Sequence, residues 1–436
     1  MHTAHPYTLG ALTNGERVSL SRSDRRRHVY VAGQTGTGKT GLLTNLMQAD
    51  LGDDAGFCFL DPHGDASQLI AGMVPRDRTG NVIYLDPSDP AHTFSYNPLW
   101  GIPPDKRAAA TANIVSAFKN IWAQSWGPRL EYILTNSLRL LFDTKDQTLL
   151  GLPRLLVDET YRESLIKRCR DPVIRAYWRN EYAAYDDRHR IEAIAPVQNK
   201  IGILLSNPFI RSIISQPAST IDARQIMDSG HVLIINLSKG RLGQEPAHLL
   251  GALLITAFAQ AAEARQEVPE DERRDFTLYC DEFQNFATDS FASILSEARK
   301  WRLSLVAANQ HVGQLPESIR QAVFGNAGTI IAFRVGAQDA AILADELVLK
   351  NRAMLAQTDN FKAWARVMHD GVPSDAKLLH MVPPPKAGGR FPAVLAQSRA
   401  RYMVPRNLVE KQVEKFFPKT PAGRQRGRKR YRNPDA

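Results

Sequence analysis

Short apolar runs recur along the chain, and polar residues follow each of them. Runs of four to eight apolar residues are typical of strands buried on both faces of a parallel sheet. We therefore predict strands at residues 29–32, 56–60, 81–85, 231–238, 276–280, 303–308 and 329–333, the last of which is the last core strand along the chain. Helical spacing of apolar residues separates several of these runs, so the pattern predicts an α/β fold with a mostly parallel sheet flanked by helices.

The stretch 102–230 interrupts this alternation. Its apolar residues repeat at three- and four-residue intervals, as on one face of a helix, first at Ile114, Val115, Phe118, Ile121 and Trp122 and again from Leu130 to Phe142. Because no convincing strand pattern occurs here, we predict an all-α domain inserted into the α/β core. The predicted divisions are residues 1–101 and 231–400 for the two parts of the core, 102–230 for the insertion and 401–436 for a C-terminal helix and tail.

The C-terminal region carries most of the charge. The net charge is +10, and residues 401–436 contribute +8 of it, with eleven Lys and Arg against three acids. The other 400 residues are nearly neutral, so the net charge of the chain does not indicate a DNA-binding face on the folded body. Alternation predicts a strand at 361–368, helical spacing predicts a helix at 399–417, and the basic stretch 418–436 is expected to be a disordered tail that would add a salt-sensitive tether to DNA.

A phosphate-binding loop follows the first predicted strand. Residues 33–40 match G-x-x-x-x-G-K-[ST] between a strand and a helix, which is the order such a loop requires. Lys39 would reach the β- and γ-phosphates of ATP, and the Thr40 hydroxyl would bind Mg²⁺. The nucleotide-binding residues are predicted to be Gly33, Gln34, Thr35, Gly36, Thr37, Gly38, Lys39, Thr40 and Gly41.

Later strands end in residues that would complete an ATPase site. The run 276–280 ends in Asp281 and Glu282, where the aspartate would hold Mg²⁺ and the glutamate would polarise the attacking water. Gln310 follows the next strand and would sense the γ-phosphate or position water. Arg334 ends the last predicted core strand and would act as a cis sensor or as an arginine finger for a neighbour. Arg299, Arg302 and Arg320 compete for the finger role.

Two further polar clusters have competing interpretations. The basic residues between Ser21 and Arg27 would touch a base, DNA or a neighbouring subunit, or would simply be solvated ahead of the first strand, which we favour. Asp61, His63 and Asp65 follow a predicted strand at the end where α/β sheets bind ligands. We favour a polar cluster beside the phosphates over a plain strand-to-helix turn, and spacing gives only weak support for a metal site.

The cysteine content and the distribution of apolar residues argue against several classes of protein. The three cysteines are far apart, which argues against a disulfide framework or a zinc site and fits a reducing cytoplasm. No signal-peptide pattern begins the chain, and the apolar stretch 248–262 is too short to span a bilayer and is interpreted as a buried helix. A cytoplasmic location without a membrane segment is therefore expected.

The ordered motifs GQTGTGKT, LDPHGD, LYCDEFQNF, SEARKWRLSLVAANQ and GNAGTIIAFRVGAQDA resemble the HerA/FtsK superfamily of P-loop ATPases. They are most similar to the TraG/TraD-type coupling proteins of conjugative type IV secretion. The resemblance implies a RecA-like P-loop core. It also implies a ring, expected to be a hexamer, that hydrolyses ATP with Mg²⁺ as cofactor and thereby drives DNA through a central pore. It implies catalytic roles for Lys39, Glu282, Gln310, Arg299 and Arg334, and metal binding by Thr40 and Asp281. Membrane coupling proteins usually begin with transmembrane helices, which are not recognised here.

The leading hypothesis is an ATP-driven DNA translocase that grips phosphates without reading sequence, as DNA motors must. It would serve DNA transfer or the processing of a mobile element, with a relaxosome, secretion complex or nuclease as partner. The alternatives are a secretion-type ATPase that moves or recruits protein, and a non-motor nucleotide-binding assembly module. A GTPase is disfavoured because no Asn-Lys-x-Asp tetrad occurs.

Overall fold

The computed structural model describes residues 7–417, apart from the side chains of His189, Asp289, Ser290, Phe291, Ser293 and Ile294. The tail predicted at 418–436 lies outside the described residues. Within them the strands are β1 Tyr7–Ala11, β2 Arg17–Leu20, β3 Val29–Ala32, β4 Gly56–Asp61, β5 Val82–Leu85, β6 His92–Thr93, β7 Val232–Asn236, β8 Phe276–Cys280, β9 Leu303–Asn309, β10 Thr329–Ala332, β11 Lys362–Arg366, β12 Met368–His369, β13 Val372–Pro373, β14 Lys377–Met381 and β15 Val404–Pro405.

One sheet organises the described part of the chain. Strands β10, β3, β9, β8, β4, β7 and β5 lie side by side in that order and run parallel. All seven predicted core strands are therefore confirmed. β10 is the last of the parallel strands along the chain, and the strand predicted at 361–368 contains β11, which with β14, β1 and β2 extends the sheet beyond β10 as an antiparallel block. An edge strand left unpaired would expose backbone donors and acceptors, and this block covers the β10 edge.

Both faces of the parallel block are buried. Along β3, Val29 and Val31 pack into one apolar core while Tyr30 and Ala32 pack into the other, as the two-residue period of a strand requires. The same alternation separates Phe57 and Phe59 of β4 from its other residues. Burial on both sides is the reason that these strands are continuous apolar runs.

The helices of the described residues are α1 Arg22–Arg25, α2 Lys39–Gly52, α3 Asp65–Gly72, α4 Arg107–Ile121, α5 Pro128–Asp143, α6 Gly151–Val157, α7 Glu159–Ile166, α8 Pro172–Ala176, α9 Asp187–Ser206, α10 Pro208–Ile214, α11 Ala223–Ser229, α12 Lys239–Leu242, α13 Gln244–Glu263, α14 Asp289–Ala298, α15 Glu317–Asn326, α16 Ala337–Glu346, α17 Ala353–Ala356, α18 Phe391–Tyr402 and α19 Arg406–Phe416. The backbone of residues 102–230 is described throughout and contains helices and turns without a strand. They share the core that holds Tyr30 and Ala32. The exact division into domains stays a prediction.

The basic stretch before β3 is not simply solvated. Arg25 is buried and donates to both carboxylate oxygens of Asp50 on α2, at 2.6 and 2.9 Å, and to the hydroxyl of Tyr279 on β8. Arg26 pairs with Asp275 just before β8. The interpretation that we favoured for this stretch is therefore wrong for these two residues, which tie the phosphate-loop helix to the strand that carries the acidic pair.

The helix predicted at 399–417 is two helices. α18 ends at Tyr402, β15 follows at Val404–Pro405 and pairs with β6, and α19 begins at Arg406. Proline forces the residue before it into an extended conformation and offers no N–H for a helix, so Pro405 separates the two.

One helical segment among the described residues, Gln244–Glu267, is long and apolar enough to cross a membrane by length and composition. It is longer than the apolar stretch seen in the sequence, but 72% of its apolar window is buried inside the protein. It packs against α4, α11 and α14, so the predicted buried helix is confirmed. Core helices commonly pass the same length test, so the finding is weak support for a span.

Candidate nucleotide-binding site

The phosphate-binding loop lies between β3 and α2 and is held by the two neighbouring strands. The Gly33 N–H donates to the Asn309 carbonyl at the end of β9 (3.1 Å), and the Gln34 N–H donates to the Arg334 carbonyl just beyond β10 (2.9 Å). The first two residues of the loop are thus fixed to the strands on both sides of β3. Holding the start of the loop in this way reduces the conformational entropy that the loop would lose on binding an anion.

Two glycines are required by this geometry. A Cβ on Gly33 would lie 2.6 Å from the Phe333 Cβ, closer than real contacts allow. Gly38 has a φ of 122°, a conformation that side chains rarely adopt, and a Cβ there would meet the Phe333 ring at 3.0 Å. Glycine therefore lets the backbone curl against Phe333 and leads directly into the first turn of α2, whose amides favour an anion.

Lys39 begins α2 and lies at the loop. Its ammonium donates to the carbonyl oxygens of Gly33 (2.6 Å) and Gln34 (3.1 Å). Burial lowers the pKa of Lys39, and the nearby charges of Asp281 and Glu282 act in the opposite direction. A cation held beside the loop and facing two acids is suited to compensate phosphate charge.

The acidic pair meets the loop across the sheet. The Thr40 hydroxyl donates to an Asp281 carboxylate oxygen at 3.3 Å, although the two residues are far apart in the sequence. Burial, with the charges of Glu282 and Asp61, raises the pKa of Asp281 to about 6. Buried negative charge that is not fully compensated, surrounded by oxygen donors, is the environment that Mg²⁺ prefers. The donor set of Thr40 and Asp281 therefore fits the predicted metal.

Glu282 is held by two amide side chains in series, which we call the amide relay of Gln284 and Asn309. The Gln284 side-chain N–H donates to the Glu282 carboxylate, and the Asn309 Nδ2 donates to the Gln284 Oε1 at 2.6 Å. An ionised carboxylate only accepts, so it fixes the orientation of both amides. Asn309 is fully buried, and its Oδ1 has no partner within the described residues.

Glu282 also has a left-handed backbone, with φ 51° and ψ 51°. This conformation is uncommon for residues other than glycine and turns the chain sharply after β8. The turn places Gln284 where its amide reaches back to Glu282, so the strained backbone and the amide relay together fix the direction of the carboxylate.

Gln310 and Arg334 also reach the loop. The Gln310 side-chain amide donates to the Thr35 hydroxyl at 2.8 Å, and the Arg334 Nε donates to the Gln34 Oε1 at 3.3 Å. Because β9 lies between β3 and β8, Gln310 sits between the loop and the acidic pair. The structure thus brings together every predicted site residue except one, and their catalytic roles stay predictions.

Arg299 is the exception. It precedes β9, whose Val306 pairs with Val29 at the beginning of β3. Arg299 therefore lies at the N-terminal ends of the parallel strands, whereas its own phosphate loop lies at their C-terminal ends. Together with burial, the charge of Arg299 contributes to lowering the pKa of His28, which also lies at the N-terminal ends of the strands. Of the competing arginines, Arg302 pairs with Asp275 and Arg320 pairs with Glu317.

Sequence reasoning missed Lys239 and Gln284, whereas it had already expected Asp61 beside the phosphates. Lys239 begins α12 just after β7, burial lowers its pKa, and the charges of Glu282 and Asp281 oppose that shift. Its position directly after a strand was the available signal, as was the place of Gln284 inside LYCDEFQNF. Asp61 accepts the N–H groups of His63 and Ser67, so it closes the strand-to-helix turn and also acts on the charge of Asp281.

Three comparisons place this geometry among known proteins. Residues 7–254 match the family described as helicase HerA, central domain. The bacterial conjugative coupling protein TrwB superposes with a TM-score of 0.63 at 16% identity, over 88% of this chain and 90% of TrwB. VirB4 of Thermoanaerobacter pseudethanolicus gives 0.59 at 14% identity, over 88% and 98%. These likenesses confirm the predicted RecA-like P-loop fold.

A curated relative is also similar in sequence. The type 4 coupling protein DotL of Legionella pneumophila is 21% identical over 359 residues, which is 68% of this chain and 45% of DotL. The chain therefore spans less than half the length of that relative.

Proposed function

The chain belongs to the family of the helicase HerA central domain, and on that premise we propose that it is an ATPase that drives DNA translocation. The observation that carries the proposal is the contact of Thr40 with Asp281, with Glu282 next to it. This contact joins the phosphate loop to an acidic strand end, which is the arrangement that hydrolysis of a phosphoanhydride requires.

Each residue has a separable task in this proposal. The loop amides and Lys39 bind the phosphates, and Thr40 with Asp281 would hold Mg²⁺, which when bound neutralises charge on the phosphate oxygens. Glu282 orients the attacking water and accepts its proton. Gln310 contacts Thr35 at the loop, from where its amide would respond to the γ-phosphate. Arg334 contacts Gln34 at the same loop and would act as the cis sensor.

The position of Arg299 favours an oligomer. Because Arg299 lies at the end of the parallel strands opposite its own phosphate loop, a nucleotide that it contacts must be bound by another subunit. An arginine supplied by a neighbour is a common way to stabilise the charge of phosphoryl transfer. We therefore propose a ring of identical subunits, expected to be a hexamer, with sites between neighbours.

The relatives suggest the substrate and setting. The family is named for a helicase, and TrwB and DotL are described as coupling proteins, TrwB as conjugative. We propose sequence-independent DNA as the substrate and a type IV secretion or mobile-element pathway as the setting, with cytoplasmic action and a relaxosome, secretion-complex or nuclease partner. A ring repeats each basic residue around its pore, so a nearly neutral subunit is compatible with binding DNA phosphates.

The test measures ATP turnover at low salt with and without long duplex or single-stranded DNA. We expect DNA of mixed sequence to stimulate turnover. Lys39→Ala should abolish nucleotide binding, whereas Glu282→Gln should retain ATP binding and lose turnover by a factor of at least about 100.

Two outcomes would overturn the proposal. If Glu282→Gln supports normal DNA-dependent function in a transfer assay while Lys39→Ala does not, the chain is a nucleotide-binding module and not a motor. If turnover responds to a protein partner and to neither form of DNA, the chain is a secretion-type ATPase.

A further inference from the structure

A large aromatic side chain lies exposed beside the phosphate loop. Phe361 immediately precedes β11, and 59% of it is accessible to solvent. Its ring lies 3.4 Å from the position of a Cβ on Gly38, so it flanks the loop directly. None of the roles assigned above to the phosphate loop, the acidic pair or the sensors uses this ring.

The backbone of Phe361 is strained and firmly held. Its φ is 61°, a left-handed conformation that is a clear outlier for a bulky residue. Its N–H donates to the Thr37 carbonyl of the loop, and its carbonyl accepts from the Met381 N–H, both at 2.9 Å. Strain of this kind persists where the surroundings overdetermine it, and it is concentrated at ligand sites. The contacts therefore hold an apolar ring in water next to an anion site.

A second apolar group lies at the next turn of α2. Pro384 lies 3.6 Å from the position of a Cβ on Gly41 and is exposed. The loop that carries it is tied to α2, since the Asn45 side chain donates to the Val382 carbonyl at 3.1 Å. The amides at the end of a phosphate loop bind the α- and β-phosphates, so the sugar and base of a nucleotide leave the loop on this side.

We propose that Phe361 stacks on the base of the bound nucleoside triphosphate, with Pro384 as the opposite wall of the base site. A ring presented rigidly to solvent gains stacking and apolar burial when a base covers it, and it loses little conformational entropy. Stacking favours the larger π surface of a purine over a pyrimidine. This inference rests on the proposed nucleotide binding and specifies where the base lies.

The test compares the binding of ATP and of inorganic tripolyphosphate, which has no base, by titration calorimetry. Phe361→Ala should weaken ATP binding about tenfold or more, as expected for one lost base–aromatic contact, and leave tripolyphosphate binding unchanged. Phe361→Leu should be intermediate, and Phe361→Trp should restore affinity and show fluorescence quenching with ATP but not with tripolyphosphate. All three variants keep a side chain at the same left-handed position, so backbone strain is matched.

Val372→Ala is the control. Val372 is also apolar and exposed (66%), but it follows β11 at the far end of that strand. Equal ATP affinity of Phe361→Ala and the unmodified protein would overturn the inference, and so would an equal loss for ATP and tripolyphosphate. A change only in oligomer mass would instead assign Phe361 to a subunit contact. If the unmodified protein binds neither ligand, the proposed function itself fails.

Discussion

The amide relay of Gln284 and Asn309 leads to a direct prediction about catalysis. Gln284→Ala removes the only donor that the relay supplies to the Glu282 carboxylate. Glu282 would keep its charge and its backbone position but would lose its fixed direction. A residue that orients the water-activating group acts in the transition state more than in nucleotide binding, so turnover should fall while KM for ATP changes little.

The structure sets the magnitude. A hydrogen bond to a charged group contributes about 1.5–3 kcal/mol when buried, and Glu282 is only partly buried, so the lower end applies. About 1.4 kcal/mol corresponds to a tenfold change in rate, so kcat should fall roughly tenfold. Gln321→Ala is a matched control, because the Gln321 amide donates to the Glu317 carboxylate at 2.8 Å on the surface, away from the site. It should change kcat less than twofold.

Asn309→Asp tests the direction of the relay. A carboxylate at 309 accepts from the Gln284 N–H group, which turns the Gln284 oxygen toward Glu282 and replaces attraction with repulsion. This variant should therefore lose more activity than Gln284→Ala. In the Gln284→Ala background it should lose nothing further, because the relay is already broken.

Thermal melting would confirm that each variant is folded, and steady-state kinetics would separate kcat from KM. An unchanged kcat in Gln284→Ala, or a rise in KM equal to the fall in kcat, would refute the relay. A further loss from Asn309→Asp in the double variant would show that the side chain at 309 acts by another route, such as the effect of the new charge on the neighbouring acidic pair.

Two predictions concern stability, each measured by urea unfolding. His28 is buried and its pKa is lowered to about 4. The unfolded chain therefore binds a proton at His28 below pH 6.5 that the folded protein excludes. The contribution of neutral His28 to the free energy of unfolding is complete above pH 6.5 and is lost toward pH 4. From pH 7 to 5 this loss is about 2 kcal/mol, and His28→Asn should remove that part of the pH dependence; an unchanged slope would contradict the assignment. Asp50→Asn leaves Arg25 buried and unpaired, which should cost about 3–5 kcal/mol, against less than about 0.5 kcal/mol for Glu192→Gln in its exposed pair with Arg188. Similar losses in the two variants would show that Arg25 is more hydrated than its burial indicates.

The core strands could be predicted because burial on both faces leaves a local record of apolar residues, as at 56–60 and 276–280. β1 and β2 have no such apolar run, since β2 is the edge strand, β1 lies next to it, and both strands are partly exposed. The single helix expected at 399–417 was an error of a different kind. Pro405 and its effect on the preceding residue were a local signal that helical periodicity alone overlooked.

The residues of the site also fall into those that the sequence predicted and those that only the structure identified. The phosphate loop is recognisable because its glycines, lysine and threonine act through one contiguous backbone curve. Arg25 shows the opposite case. Its partners are Asp50 on α2 and Tyr279 on β8, and nothing near Arg25 in the sequence indicates a buried ion pair.

By itself, the sequence determined the loop, the acidic strand end and the α/β class, since each depends on neighbouring residues and their local geometry. Only the tertiary structure decided that β9 lies between β3 and β8, and hence that Gln310 reaches the loop and Asn309 reaches Gln284. It also decided that Arg299 lies at the end of the parallel strands opposite its own phosphate loop and that Phe361 flanks Gly38. Strand order is set by crossovers that join distant segments through packing on both faces of the sheet, and no local pattern of residues encodes that choice.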